Sequence, residues 1–433
     1  MPKPIVCLSD TLRQFLEAFR PCFSQRQWPY FVIVLLGLVE CKERSTLTAF
    51  LRCVAEAVSL CGLSRFLSRW SWSADRVVAV WLRRFRQQME PTVQAEHVRQ
   101  RALRPKRQGR PKATLVTGYL IFDDSVHCKP KGRKMGGVGR HYSGVEKKVV
   151  RGHCLFTGLY VLLGRRCPLR PRLYRQKAVC EQEGVPFQSK VDMAVEEIEQ
   201  FQPVPGTHTH LLIDSWYHCR RVRKAAQKRG WDVSGGLKRN RKMRLIAEEG
   251  SRRWLGLAEY AATLKQEDYQ EATWPSQQGG HTVYVHAVQT WVRKLGPTLL
   301  LITRLSLDEP LEQARYWGST LVEAEAPAVV DILAVRWDVE VLFEDYKDLL
   351  GADQYQVMKA TAILRFWTLV SCLAYFLDEQ RTSFQAQQPG VHLSLGDVRR
   401  RLQTEHQRNL LVWLQDQFRS GATVDQLCAR LTV

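Results

Sequence analysis

From residue 1 to about 100, apolar and basic positions alternate at helical spacing. Val77, Val78, Val80, Trp81, Leu82 and Phe85 form one such set, with Arg83, Arg84 and Arg86 beside them. Ser73 is the expected N-cap of that helix and Pro91 its expected stop. The pattern predicts an all-helical module with a basic surface. The stretch RPKRQGRPK at 104–112 has no apolar residue and reads as a junction between domains.

Beyond the junction the period changes. TLVTGYLIFDDS is an apolar, β-prone run that breaks at Asp123 and Asp124, and HCLFTGLYVLLG at 153–164 is a second strand. A Gly-rich basic connection lies between them, and residues 167–174 suggest a third strand. Helical periodicity at 189–200 leads to the strand HLLID, which ends at Asp214. A helix at about 217–229 and a strand in WDVSGGLK complete an α/β alternation. Residues 240–310 are β-rich, as in HTVYVHAVQTWV and PTLLLITRL. Helix returns from 327 to about 350, and TAILRFWTLVSCLAYFLDEQ is an apolar helix expected to pack centrally.

Composition fits a chain of two or three packed domains: 433 residues, 45% hydrophobic and 10% aromatic. Lys and Arg total 64 against 43 acidic residues, a formal charge of +21, which favours a polyanionic partner, nucleic acid first. The uninterrupted apolar runs fall short of the roughly 20 residues of a spanning helix. With no visible secretory signal, the expected location is cytoplasmic, near the nucleoid, and no membrane partner is expected. Twelve scattered cysteines without C-x-x-C pairs read as small buried hydrophobes, not as disulfides or structural zinc ligands.

Two strands ending in aspartate and a late helix carrying Glu340 are the chemical signal. Three carboxylates brought together repel one another unless a cation holds them. Oxygen donors without His or Cys suit Mg²⁺ or Mn²⁺, and two such ions serve phosphodiester chemistry. Taken singly, each acid has an ordinary structural role as a turn former, helix cap or surface charge. In RWDVEVLFEDYKDLLG, Arg336, Glu340 and Lys347 fall at about 0°, 40° and 20° around one helix at about 100° per residue, a single stripe. Val339, Phe343 and Leu350 would seat that helix. The alternative is a surface Arg336–Glu340 pair worth a few tenths of a kcal/mol.

LAVRWDVEVLFEDYK resembles the Tyr-x2-Arg-x3-Glu-x6-Lys signature of bacterial insertion-sequence DDE transposases, the cut-and-paste branch with a β-strand insertion. Arg336, Glu340 and Lys347 match it, whereas Leu333 stands at the tyrosine position. DDS at Asp123 to Ser125, GVGRHYSG, LLIDSWY and GLKRNR occur in the family's order, so the similarity spans about residues 115 to 380.

The resemblance implies an RNase H-like core with a β-rich insertion and flanking helical domains. The expected divisions are 1–100 (DNA-binding helices), 101–113 (linker), 114–240 and 311–390 (core), 241–310 (insertion) and 391–433 (C-terminal helices). It also implies a triad of Asp124, Asp214 and Glu340 holding two Mg²⁺ ions, with Mn²⁺ as a substitute. Asp124 is favoured because it precedes Ser125, but strand alternation lets only one of Asp123 and Asp124 reach the ions. DNA contacts are expected from Arg336, Lys347, Lys238, Arg239, Arg241 and Arg140. The partners would be the element's terminal inverted repeats and target DNA, bound by a homodimer. If cleavage proceeds through a hairpin, Trp274 and Trp291 are candidates to hold an unstacked base. A nuclease that does not join strands and a silent DNA-binding regulator are the competing functions.

Overall fold

The computed structural model describes residues 6–55, 58–103, 116–246, 252–276, 279–388 and 390–431. The basic junction at 104–112 lies outside the described residues. The chain opens with helices α1 (Asp10–Glu17), α2 (Trp28–Glu40), α3 (Leu47–Leu51), α4 (Leu60–Ser68) and α5 (Ala74–Ala102). Four hydroxyls start them: the side chains of Ser9, Thr46, Ser59 and Ser73 accept the N–H groups of Leu12, Ala49, Gly62 and Arg76.

Pro91 does not stop α5, which runs through it for 29 residues. The lost hydrogen bond and ring clash of an interior proline cost about 3 kcal/mol. Burial of Met89 and Val93 on either side offsets this, as does the bond between His97 Nε2 and the Gly206 carbonyl oxygen at 2.9 Å.

The strands and helices that follow are β1 (Val116–Cys128), β2 (Gly139–Ser143), β3 (Lys148–Leu162), β4 (Arg165–Pro168), β5 (Arg172–Tyr174), α6 (Lys177–Glu183), α7 (Lys190–Gln200), β6 (Thr207–Ile213), α8 (Arg220–Lys228), β7 (Asp232–Leu237), β8 (Lys242–Ile246), β9 (Arg252–Gly256), α9 (Leu257–Ala261), β10 (Gln270–Trp274), β11 (His281–Val292), β12 (Gly296–Arg304) and β13 (Arg315–Ser319). They build one mixed sheet in the order β2-β3-β1-β6-β7-β13-β12-β11-β8-β9, with β10 beside β11, and β4 and β5 beside β3. The β1–β6 and β6–β7 pairs are parallel, whereas β1 runs antiparallel to β3.

The chain ends with α10 (Ala326–Ala334), α11 (Trp337–Glu344), α12 (Ala360–Gln387), α13 (Leu395–Arg419) and α14 (Val424–Leu431). The single helix expected from 327 to 350 is therefore interrupted. Val329, Val330 and Leu333 of α10 pack against Val283, Val285, Leu299 and Leu301 of the β-rich segment, whereas Val339, Leu342 and Phe343 of α11 join the main core. Two apolar faces directed at two cores bend the chain at Val335 and Arg336. A π-helical turn, Asp345–Leu349, then carries Lys347, whose charge acts on His127, two alternations along β1 from Asp123.

Helix α12 is the hub. It is long and apolar enough to cross a membrane, yet 83% of its apolar window is buried within the protein. The N-terminal helices close around it: the Phe15 and Phe376 rings lie 4.7 Å apart, and Phe50 stacks on Phe366 at 6.4 Å. One apolar cluster continues from Leu12 through α12 to β1, β3 and β6.

Candidate active site

Strands β1 and β6 run parallel and in register from Val116 opposite Thr207 to Phe122 opposite Ile213. The next residue on β1 is Asp123, and Asp214 directly follows the end of β6. Asp123 and Asp124 point to opposite faces of β1, and Asp214 lies near both: its charge acts on Asp123, and Asp124 acts on it. Both aspartates of β1 thus lie within electrostatic reach of Asp214, and Arg336 and Glu340 stand on the Asp123 side.

Helix α11 covers that face. Arg336, at its N-terminus, places Nη1 3.3 Å from Asp123 Oδ2 and both Nη atoms 3.4 Å from Glu340 Oε1. Burial, then the neighbouring Asp214, Asp124 and Glu340 carboxylates, push the Asp123 carboxyl up to about 8 against the opposing pull of Arg336. Burial also raises Asp214, although its Oδ1 accepts the backbone N–H groups of Trp216 at 2.9 Å and Tyr217 at 3.1 Å. The half-buried surroundings thus disfavour the charged form of both acids.

Asp124 has its own partners on the opposite face. Lys190 Nζ donates to Oδ1 at 2.6 Å, Tyr217 Oη donates to Oδ2 at 2.7 Å, and Cys154 Sγ lies 3.3 Å from Oδ1. Tyr217 therefore ties the two acids together, since its N–H bonds Asp214 and its hydroxyl bonds Asp124. Lys190 meets Asp124 across 66 residues, so nothing local marks it as a partner beyond the Ser189 capping box that starts α7. Tyr217 was legible only as a neighbour of Asp214.

The expected DNA-contact cations fall in different places. Arg336 belongs to the carboxylate group itself. Lys347, on the π-helical turn, exerts its charge on His127 and Cys128, at the far end of β1 from Val116. Lys238 and Arg239 are exposed just after β7, and Arg140 is exposed on β2. Arg241 is turned inward, donating to the His218 carbonyl oxygen. Lys238 Nζ sits 4.9 Å above the ring of Trp216, an exposed tryptophan two residues past Asp214. Leu333, at the signature's tyrosine position, is buried and offers no polar group to DNA.

Oxygen-only donors around a buried Asp123 match the chemistry of a hard divalent cation. Among the described residues, however, no three Asp, Glu, His or Cys side chains stand close enough together to hold an ion as the chain is arranged. Arg336 and Lys190 are the cations now facing the carboxylates.

A mixed sheet thus brings aspartates at the ends of two parallel strands near a glutamate from a later helix. The family model for the DDE superfamily endonuclease matches residues 18–289, and the chain belongs to that family of enzymes acting on DNA. The match includes Asp123, Asp124 and Asp214 and ends before the helix of Glu340. No curated protein matches the chain.

Proposed function

We propose that this chain is an insertion-sequence transposase of the cut-and-paste branch, which cleaves element ends and joins them to target DNA. The observation that carries the reading is Asp123, at the end of the β1–β6 pairing and near Asp214, joined through Arg336 to Glu340. The β3-β1-β6-β7 order, with one antiparallel and two parallel pairings, supports an RNase H-like core over 114–240 and 311–390. Strands β8 to β12 carry apolar clusters separate from the main core, which supports 241–310 as its insertion. Helices over 1–100 would read the terminal repeats, and 391–433 would complete a homodimer that brings two ends together.

Asp123, Asp214 and Glu340 are the residues that would hold Mg²⁺ or Mn²⁺. Two such ions, when bound, polarise the scissile phosphodiester and activate water or a 3′-hydroxyl. The protein's share is placement. Arg336 holds Glu340 toward Asp123, while Lys190 and Tyr217 fix Asp124 behind them. Lys238, Arg239 and Arg140 supply exposed charge for phosphates flanking the break.

The test is Mg²⁺-dependent cleavage and strand transfer on labelled DNA bearing the element's ends, with Glu340→Gln as the comparison. Cleavage and joining that both vanish in the variant are expected. Cleavage without joining would instead identify a nuclease, and end binding without cleavage in either protein would identify a silent DNA-binding descendant.

A further inference from the structure

Strands β9, β8 and β11 lie side by side, and their register aligns three residues in one row. Arg244 of β8 is directly opposite Trp254 of β9 and directly opposite Trp291 of β11. The other face of these strands is core, since Met243 and Val292 are fully buried against Leu257 and Leu300. The row must therefore look outward, and it does: Trp254 is 45% and Trp291 41% exposed. The Arg244 guanidinium lies 5.1 Å from the centre of the Trp291 ring.

The same outward face is basic. Two residues along each strand from the row stand Lys242, Arg252 and Arg293, all exposed, and the Arg293 N–H continues the ladder to the Lys242 carbonyl oxygen at 2.8 Å. Ile246, Gly256 and Gln289 are the other strand positions of this face, so among the described residues of these three strands no carboxylate interrupts it. None of these residues belongs to an element that carries a candidate metal-binding acid.

Flat aromatic rings set between cations on an open sheet face suit nucleotides whose bases are unpaired. Each ring offers a stacking surface that does not depend on sequence, and the cations follow the phosphates. Bases in a duplex already stack on one another and hide their faces. We propose that the Trp254–Arg244–Trp291 row is a stacking platform for an unpaired DNA strand. The proposal rests on the reading of this chain as a DNA enzyme, but it concerns binding alone and is tested without cleavage.

The experiment measures binding of the intact chain, without divalent ion, to a fluorescent oligothymidylate of about 20 nucleotides and to an abasic strand of the same length. The unaltered protein is expected to prefer the base-bearing strand by about tenfold or more. Trp254→Ala/Trp291→Ala should remove that preference while leaving abasic binding in place, and Trp254→Phe/Trp291→Phe should restore most of it. Equal preference in the alanine variant and the unaltered protein would overturn the proposal. So would an equal loss on both strands, which would reduce the row to a structural role. Anionic vesicles of phosphatidylserine form the second arm. A tryptophan-dependent loss confined to vesicles would assign the face to a membrane surface and overturn the assignment to DNA. Loss of base preference with cleavage intact, or loss of cleavage with base preference intact, separates the platform from the proposed active site.

Discussion

Asp123→Asn is expected to lower DNA cleavage by about 10³-fold or more, the scale of losing a group that acts on the transition state. Asp124→Asn should cost about 10- to 100-fold, as for a group that supports a site from behind. The contrast follows from strand alternation: Asp123 faces Arg336 and Glu340, whereas Asp124 faces Lys190 and Tyr217. Single-turnover rates on pre-bound DNA would separate the two. Near-normal cleavage by Asp123→Asn, with collapse in Asp124→Asn, would reverse the assignment.

Arg365→Ala is expected to destabilise the folded chain by about 3–5 kcal/mol, the cost of breaking a buried charged group out of its hydrogen bonds. Arg365 is a buried cation on the apolar hub helix α12. Its Nη1 donates to the carbonyls of Phe66 at 3.4 Å and Leu67 at 3.0 Å, and its Nη2 to that of Trp72 at 2.6 Å. Phe66 and Leu67 lie in the last turn of α4, whose carbonyls have no partner within the helix. The guanidinium also lies over the Trp72 ring at 4.7 Å, and burial lowers its pKa from the usual value. Removing the side chain takes the donor from the Leu67 and Trp72 carbonyls, leaves Phe66 with only the Trp72 indole N–H at 2.7 Å, and loosens α4 from the hub. Arg365→Lys, whose three N–H donors sit on one nitrogen and cannot span acceptors reached from two guanidinium nitrogens, should recover only part of the loss. Urea unfolding measures both variants; a change under about 1 kcal/mol for Arg365→Ala would show that the N-terminal helices do not depend on this anchor.

Local patterns in the chain foretold most of the elements. The Ser73 cap, the α7 helix after Ser189, strand β6 ending before Asp214 and the buried seat of Val339, Phe343 and Leu350 are all present. Each depends on spacing or capping chemistry within a few residues. Pro91 was misread because tertiary burial on both sides outweighed a local breaker. The Arg336–Glu340 contact follows from i, i+4 spacing, whereas the π-helical turn that carries Lys347 has no mark in the local pattern. The nearness of Asp123 to Asp214 and the Trp254–Arg244–Trp291 row are products of strand register. Register is decided by neighbours far away in the chain, and no window of sequence contains it. The same holds for Lys190 and Tyr217, which reach Asp124 across 66 and 93 residues.

The central claim is that Asp123, Asp214 and Glu340 form one cation-binding face. Titrating the intact protein with Mn²⁺ while following the free-ion electron paramagnetic resonance signal tests it without DNA or turnover. The account predicts saturable binding in the unaltered protein and in Asp124→Asn, and its loss in Asp123→Asn and Glu340→Gln. Binding of unchanged affinity in Asp123→Asn, with loss in Asp124→Asn, would contradict it.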